Sequence, residues 1–133
     1  MISRTSPRRP GVLIIEDDTG VSRMLRLSLT SAGFDIMAVF TGKDALRSME
    51  SESPDAVVLD LGLPDNLGAV VLKRLKQGGG ADGSPAWVVI SALDRQEVIS
   101  QYGPVGANFM AKPFNPWDLV ALIESLMSER QSA

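Results

Sequence analysis

The sequence predicts an α/β domain in which five parallel strands alternate with five helices. Three observations support this prediction: short apolar runs recur along the chain, apolar residues at helical spacing follow each run, and the connections are short. Continuous apolar strands are typical of a sheet that helices cover on both faces. We therefore expect one doubly wound (βα)5 domain with a parallel sheet.

The first strand and helix give the clearest pattern. Residues 11–16 form an apolar run after Pro10, which indicates a strand buried on both faces. Apolar residues then recur at helical spacing until Gly33 ends the helix. The helical positions are Val21, Met24, Leu25, Leu29 and Ala32. The chain therefore opens with one complete strand and helix unit.

The second and third units follow the same pattern. Residues 36–40 form the second predicted strand, and Thr41 caps a helix that ends before Ser53-Pro54. Residues 55–61 contain the third apolar run, and a run of three glycines ends the helix after it. The apolar positions of these two helices are Ala45, Leu46, Met49, Leu67, Val70, Val71 and Leu75. The glycine-rich residues 78–84 are interpreted as a loop, because they lack the Lys-Ser/Thr ending of a nucleotide-binding loop.

The last two units complete the domain. Residues 86–90 and 106–111 are the predicted fourth and fifth strands, and a weaker helix between them is broken by Gly103-Pro104. Asn115 caps the last helix, and Pro116 occupies its first turn. The apolar stripe of that helix is Leu119, Leu122, Ile123, Leu126 and Met127. The predicted domain spans 11–128, with residues 1–10 and 129–133 as tails.

Composition excludes several classes of site. The chain has no Cys and no His, which excludes disulfides, thiolate nucleophiles, Cys/His zinc sites and Ser-His-Asp triads. The net charge of −3 argues against direct nucleic-acid binding. No apolar run approaches the roughly 18 residues of a membrane span. We therefore expect a cytoplasmic protein with no membrane segment.

Polar side chains follow four of the five predicted strands. These residues are Glu16, Asp17 and Asp18 after the first strand, Asp60 after the third, Ser91 after the fourth and Lys112 after the fifth. Ligands of open parallel sheets bind at the carboxyl ends of the strands, so we expect these side chains to converge. Clustered carboxylates repel one another unless a cation neutralises them. Without His or Cys, an oxygen-liganded Mg²⁺ fits this set better than Ca²⁺ does.

The acid at position 60 is the strongest single signal. Asp60 directly follows a buried apolar strand, where a carboxylate is costly without a purpose. A carboxylate facing a cation can attack phosphorus, while the metal and the Lys112 ammonium offset charge. Ser91 could donate its hydroxyl to a phosphoryl oxygen, or could cap the helix that starts near Asp94. The acidic triplet could equally be a loop whose Asp18 or Thr19 caps the following helix.

Four short motifs stand at the ends of the predicted strands: Ile14-Ile15-Glu16-Asp17-Asp18, Leu59-Asp60-Leu61-Gly62-Leu63-Pro64, Ile90-Ser91-Ala92 and Ala111-Lys112-Pro113-Phe114. Together they resemble the receiver domains of response regulators in two-component signalling. Each motif is weak alone, but four in this order, each at a strand end, are highly specific. The resemblance covers about residues 11–128 and implies a flavodoxin-like fold with strand order 2-1-3-4-5.

The resemblance also implies a role for each matching position. It implies that Asp60 is the phosphoacceptor and that Asp17 binds Mg²⁺ directly. Glu16 would bind the ion directly or through water, and the backbone carbonyl of Gly62 would be a further ligand. Because Gly62 places no side chain beside the phosphoryl site, we expect water to reach the aspartyl phosphate and shorten its lifetime.

The remaining implied roles concern the response to phosphorylation. Lys112 would pair with the bound phosphoryl group, and Ser91 would move toward it. Phe109 would then swing inward and alter the surface formed by helix four, strand five and helix five, although Phe109 could also be plain core. The short helix before Gly103-Pro104 and the long connection over 78–84 put the family's usual contacts at that surface in doubt.

The implied partners follow from this role. The phosphoryl donor would be a sensor histidine kinase or a histidine phosphotransfer protein, and a downstream effector would receive the signal. A homodimer through helix four, strand five and helix five is also implied. The domain would not be an enzyme, because it would catalyse only its own phosphorylation and dephosphorylation.

Three alternatives compete with the receiver interpretation. A haloacid-dehalogenase type phosphatase needs Asp-x-Asp, but Gly62 occupies the second acidic position and no cap domain is predicted. A flavin-binding protein of similar fold needs a Ser/Thr/Gly-rich loop after strand one, whereas this loop is acidic and would repel a phosphate. A degenerate receiver that signals without phosphate is disfavoured, because all the required groups are present.

Overall fold

The computed structural model describes residues 8–78 and 84–132. Five strands alternate with five helices along these residues. The elements are β1 Gly11–Ile15, α1 Thr19–Ser31, β2 Asp35–Val39, α2 Gly42–Glu52, β3 Ala56–Asp60, α3 Gly68–Gly78, β4 Ala86–Ser91, α4 Arg95–Tyr102, β5 Phe109–Ala111 and α5 Pro116–Ser132. The predicted loop over 78–84 lies mostly outside the described residues, as do residues 1–7 of the predicted tail.

The five strands form one parallel sheet in the order β2-β1-β3-β4-β5. The predicted fold class and strand order are therefore confirmed. β1 pairs with both β2 and β3, so the order reverses at β1, and the carboxyl ends of all five strands lie at the same edge. A crevice outside this edge is where doubly wound folds bind their ligands.

Alternate side chains of each strand enter separate cores on the two faces of the sheet. Val12 and Ile14 of β1 pack in one core, and Leu13 and Ile15 pack in the other. The first core is completed by Leu25 and Leu29 of α1 with Leu119 and Ile123 of α5. The second is completed by Ala45 of α2, Val71, Leu72 and Leu75 of α3 and Val98 of α4. All five residues of β3 are buried because helices cover both faces.

Side-chain caps begin several helices. Thr41 Oγ1 accepts a hydrogen bond from Asp44 N at the start of α2, which confirms the predicted cap. Asp18 Oδ1 accepts one from Val21 N at the start of α1, so the third acid of the triplet is a cap. Asp94 caps α4 and exchanges hydrogen bonds with Glu97 in a capping box. Such caps satisfy backbone N–H groups that have no partner within the helix.

Several predicted boundaries differ from the structure. β5 begins at Phe109, because a turn in which Asn108 N donates to Val105 O and Gly106 adopts φ +56° occupies the start of the predicted strand. The expected tail 129–133 is helical as far as Ser132, since residues 128–132 include good helix formers and no Gly or Pro. β2 begins one residue earlier than predicted.

Part of the predicted N-terminal tail is bound to the domain. Arg9 donates from Nε to Gly33 O at 3.1 Å and from Nη2 to Thr30 O at 3.2 Å. It also lies 3.7 Å from Asp35 Oδ1. Arg9 therefore satisfies carbonyl groups at the end of α1, as a cation at a helix C-terminus does. No helix in the described part of the chain is both long and apolar enough to cross a membrane.

The two-sided core predicts a large difference between two leucines. Leu13 is 0% exposed in β1, and Leu27 is 63% exposed on α1. We expect Leu13→Ala to lower the free energy of unfolding by about 2–5 kcal/mol through lost burial and a cavity. The matched control Leu27→Ala should change it by no more than about 0.5 kcal/mol. Urea titration followed by circular dichroism measures both, and equal losses would contradict the described core.

Candidate functional site

The ends of three strands bring an ammonium group against two buried acids. Glu16 directly follows β1 and is 0% exposed, while Asp60 ends β3 and is 5% exposed. Lys112 follows β5, and its Nζ lies 2.8 Å from Glu16 Oε1 and 3.4 Å from Asp60 Oδ2. These residues are far apart in the sequence, so the parallel sheet alone explains their proximity.

Backbone hydrogen bonds extend the sheet beyond its strands and hold these residues at the edge. Glu16 N donates to Val39 O at 3.2 Å, and Lys112 N donates to Ser91 O at 2.8 Å. The backbone of the two charged residues is therefore fixed as firmly as the sheet itself. Pro113 follows Lys112 through a cis peptide bond.

Burial and charge act in opposite directions on the Glu16 carboxyl. Its pKa is raised from an ordinary value of 4.5 to about 7, and burial is the largest cause of the rise, followed by contact with Asp60. Lys112 and the backbone N–H of Asp18 lower the pKa, with Asp18 N lying 3.1 Å from Oε2. The ammonium contacts Oε1 at ion-pair distance but without hydrogen-bond alignment. The neighbours of the buried Glu16 carboxylate thus balance its negative charge only in part.

The Lys112 ammonium responds to the same surroundings. Burial lowers its pKa, but the close contact with Glu16 and the charges of Asp60 and Glu16 outweigh burial. The pKa of Lys112 is therefore raised, and the side chain keeps its positive charge at neutral pH.

Three carboxylates form a cluster that could hold a metal ion. One oxygen each of Glu16, Asp17 and Asp60 lies within 4.8 Å of the other two. Glu16 and Asp60 are buried, whereas Asp17 is exposed and opens the cluster to solvent. A divalent cation fits this donor set, because the oxygens are hard ligands and one ammonium cannot neutralise three acids.

The backbone N–H of Gly62, two residues further along the chain, holds the Asp60 carboxylate. Gly62 N donates to Asp60 Oδ1 at 3.1 Å, while Lys112 lies beside Oδ2. The two carboxylate oxygens therefore have different neighbours, which fixes the plane of the group. A Cβ atom at Gly62 would lie 3.7 Å from Oδ1, at ordinary contact distance, so the space beside the carboxylate is open.

Ser91 and Phe109 lie on the two strands beyond β3. Ser91 ends β4 and is buried, and its Oγ accepts a hydrogen bond from Leu93 N at 3.0 Å. The alternative prediction that Ser91 caps α4 is wrong, because Asp94 is the cap. Phe109 begins β5 and is partly buried against the second core.

Arg95 covers the ring of Phe109, a contact that the sequence analysis did not predict. The guanidinium carbon lies 5.1 Å from the ring centroid, and Nη1 donates to Gly106 O. Arg95 belongs to the first turn of α4, so this contact joins α4 to β5. No periodicity or motif marks Arg95, because its partners lie more than ten residues away.

The contacts of Asp65, which lies in the loop between β3 and α3, were also not predicted from the sequence. Its carboxylate accepts backbone hydrogen bonds from Gly42 at 3.1 Å, Lys43 at 3.0 Å and Leu67 at 3.4 Å. Two of these donors belong to the start of α2. Asp65 follows Pro64, and this context predicts only a turn and not a contact with α2.

Comparisons with known proteins identify the family of this chain. A family model described as the response regulator receiver domain matches residues 12–124. The transcriptional regulatory protein KdpE of Mycobacterium tuberculosis is 31% identical over 122 residues, which cover 92% of this chain and 53% of that protein. The DNA-binding response regulator MtrA of Mycolicibacterium paratuberculosis is 30% identical over 117 residues, covering 88% and 51%. This chain thus spans about half the length of these relatives.

A solved structure agrees as well. The crystal structure of a sensor protein from Polaromonas sp. JS666 has a TM-score of 0.77 and 29% sequence identity, covering 92% of this chain and 99% of that chain. The chain belongs to the response regulator receiver domain family of two-component signal transduction. The resemblance in the sequence is therefore confirmed at the level of the family.

The buried acid predicts an unusual pH dependence of the metal-free protein. The native state keeps a proton on Glu16 that the unfolded state has released, so the free energy of unfolding should fall as the pH rises from about 5 to 7. Glu16→Gln should flatten this slope, because the amide does not titrate. Denaturant titration in chelator across this range measures the slope.

A matched control separates Glu16 from the other acids of the chain. Asp17, Asp60 and Lys112 face Glu16 and remain in the variant. Glu124→Gln, at an exposed position of α5, should leave the slope of the parent protein intact. A slope that survives in Glu16→Gln would show that another group titrates.

Proposed function

We propose that this domain accepts a phosphoryl group on Asp60 from the phosphohistidine of a sensor histidine kinase or a histidine phosphotransfer protein. One observation carries the proposal: the Lys112 ammonium lies between Asp60 and Glu16 at the carboxyl edge of the sheet. An acid beside a fixed cation suits transfer of an anionic group, because the cation offsets the charge that gathers as the bond forms.

The acidic cluster would bind Mg²⁺. Glu16, Asp17 and Asp60 would hold the ion, and the family resemblance adds the backbone carbonyl of Gly62. Mg²⁺ keeps several waters and is commonly bound by a few carboxylates plus a phosphate, which this cluster allows because it opens to solvent at Asp17. Bound Mg²⁺ would supply positive charge to the transferring phosphoryl oxygens.

The residues of the chain have separate tasks in the transfer. An oxygen of Asp60 attacks phosphorus as the bond to the histidine nitrogen breaks, and the nitrogen keeps the electron pair. Gly62 N holds Asp60 Oδ1, so the carboxylate presents a fixed orientation. Lys112 and the hydroxyl of Ser91 are then available to the phosphoryl oxygens as donors.

The response would pass toward α4 and β5. The Ser91 hydroxyl would leave Leu93 N and bond to the phosphoryl group, and Phe109 would follow it inward. Arg95 would lose its position over the ring, which changes the surface formed by α4, β5 and α5. That surface would meet the downstream effector or a second copy of the chain. α4 is only eight residues long and ends at Gly103, as predicted.

The proposed function concerns only the receiver part of such regulators. KdpE and MtrA are named as transcriptional and DNA-binding regulators, and this chain matches about half of each. We propose a domain over about residues 11–128, cytoplasmic and without direct contact to nucleic acid or membrane. It is a regulator whose chemistry is confined to its own Asp60, in contrast to a phosphatase with an external substrate.

Acetyl phosphate tests the phosphoacceptor directly. With Mg²⁺ present, we expect intact mass spectrometry to show a gain of one phosphoryl group, because Asp60 can attack this small donor. Asp60→Asn should abolish the gain, since an amide is a poor nucleophile. The control Asp35→Asn, at the opposite edge of the sheet, should retain it.

Two results would contradict this assignment. Phosphorylation of Asp60→Asn would place the acceptor elsewhere. Sustained hydrolysis of varied phosphate esters by the parent protein would favour a phosphatase.

The open space at Gly62 predicts a short-lived aspartyl phosphate. A Cβ atom at this position meets Asp60 Oδ1 only at ordinary contact distance, and we expect a longer side chain built on it to screen the phosphoryl group from water. Gly62→Met should therefore lengthen the half-life of the phosphorylated protein severalfold, while Gly62→Ala, which adds one methyl group, should change it little. Loss of the phosphoryl mass over time measures each half-life. A parent half-life of many hours would rule out this explanation.

A further inference from the structure

The loop that follows Asp60 is held in place at both ends. This phosphoacceptor loop, residues 61–67, joins β3 to α3 and contains Gly62. A Cβ atom at Gly68 would lie 2.6 Å from Leu61 O, so α3 begins in direct contact with the start of the loop. A Cβ atom at Gly42 would lie 2.4 Å from the Cβ of Leu67, so α2 begins against its end. Neither contact leaves room for a side chain.

Asp65 ties the phosphoacceptor loop to α2 by hydrogen bonds. Helix α2 begins with backbone N–H groups that have no partner inside the helix. Asp65 Oδ1 accepts from Gly42 N and Oδ2 accepts from Lys43 N, while Thr41 accepts from Asp44 N. The first three N–H groups of α2 are therefore satisfied, two of them by a residue of the phosphoacceptor loop.

The electrostatics of this contact favour a charged carboxylate. Burial alone would raise the pKa of Asp65, but the N–H groups of Lys43, Gly42 and Leu67 outweigh burial and lower it. A helix N-terminus also stabilises an anion. Asp65 thus remains ionised at neutral pH and keeps both oxygens as acceptors.

We propose that Asp65 is a positioning residue, which holds the phosphoacceptor loop against α2 and thereby orients the backbone of Gly62. The inference rests on the proposed function. The N–H of Gly62 fixes the Asp60 carboxylate, and its carbonyl is a proposed metal ligand, so both depend on the path of this loop. Asp65 itself touches no reacting atom. No motif of the receiver family that the sequence analysis used includes this residue.

The test compares two changes at the same helix terminus. Asp65→Ala removes acceptors of α2 and frees the loop, whereas Thr41→Ala removes an acceptor of α2 and leaves the loop attached. We expect Asp65→Ala to weaken Mg²⁺ binding by roughly tenfold and to slow phosphorylation by acetyl phosphate to a similar extent, as displaced supporting groups do. Thr41→Ala should keep both values, although it also removes a cap and destabilises the start of α2.

A third variant tests whether part of the Asp65 acceptor set restores Mg²⁺ binding. Asp65→Asn keeps one side-chain oxygen for Gly42 N and Leu67 N but loses the acceptor for Lys43 N. It should therefore bind Mg²⁺ with an affinity between those of the parent and Asp65→Ala. If Asp65→Ala does not fold, Asp65→Asn compared with Thr41→Ala decides the question alone.

The outcomes separate this inference from the proposed function. If the parent protein gains a phosphoryl group and the Asp65 variants match Thr41→Ala in Mg²⁺ affinity and rate, Asp65 is only a helix cap and the inference is wrong. If the parent protein gains no phosphoryl group, the proposed function fails and the inference fails with it.

Discussion

The contact of one ammonium with two buried acids is the constraint on which the site depends. Placing Glu16 and Asp60 side by side away from water costs free energy unless positive charge lies next to them. Lys112 supplies that charge at 2.8 and 3.4 Å, but a third acid, Asp17, completes the cluster. The site is therefore short of positive charge, which is the property that suits it to a divalent ion.

The parallel sheet produces this contact from distant parts of the chain. β1, β3 and β5 run in the same direction, so the residues at their ends share one edge whatever their separation in sequence. β3 is buried throughout because helices cover both faces. The same burial means that a charged acid at the end of the strand costs free energy. The feature that identifies the strand in the sequence thus also marks its last residue as a candidate for function.

These relations explain which features the sequence could predict. Apolar runs and helical spacing predicted all ten elements, and the rule for strand ends predicted the meeting of Glu16, Asp60 and Lys112. The strand order came from the family resemblance, because periodicity does not specify which strands pair. The early start predicted for β5 failed because the turn around Gly106 interrupts residues that suit a strand. The contacts of Asp65 could not be predicted from the sequence, because its partners in α2 are backbone groups that lie 22 and 23 residues away.

The side-chain contact that joins the site to α2 is stronger than the one that joins it to α4. Toward α2, the charged Asp65 carboxylate accepts two backbone N–H groups, and hydrogen bonds to a charged acceptor are the stronger kind. Toward α4, an exposed Arg95 contacts the Phe109 ring, and an exposed contact of this type contributes only about 0.5–1 kcal/mol. We therefore expect a change in charge at Asp60 to disturb the contact of Arg95 with Phe109 before the contact of Asp65 with α2. This difference supports a proposed switch that runs through Ser91 and Phe109, with α2 and the phosphoacceptor loop as its fixed side.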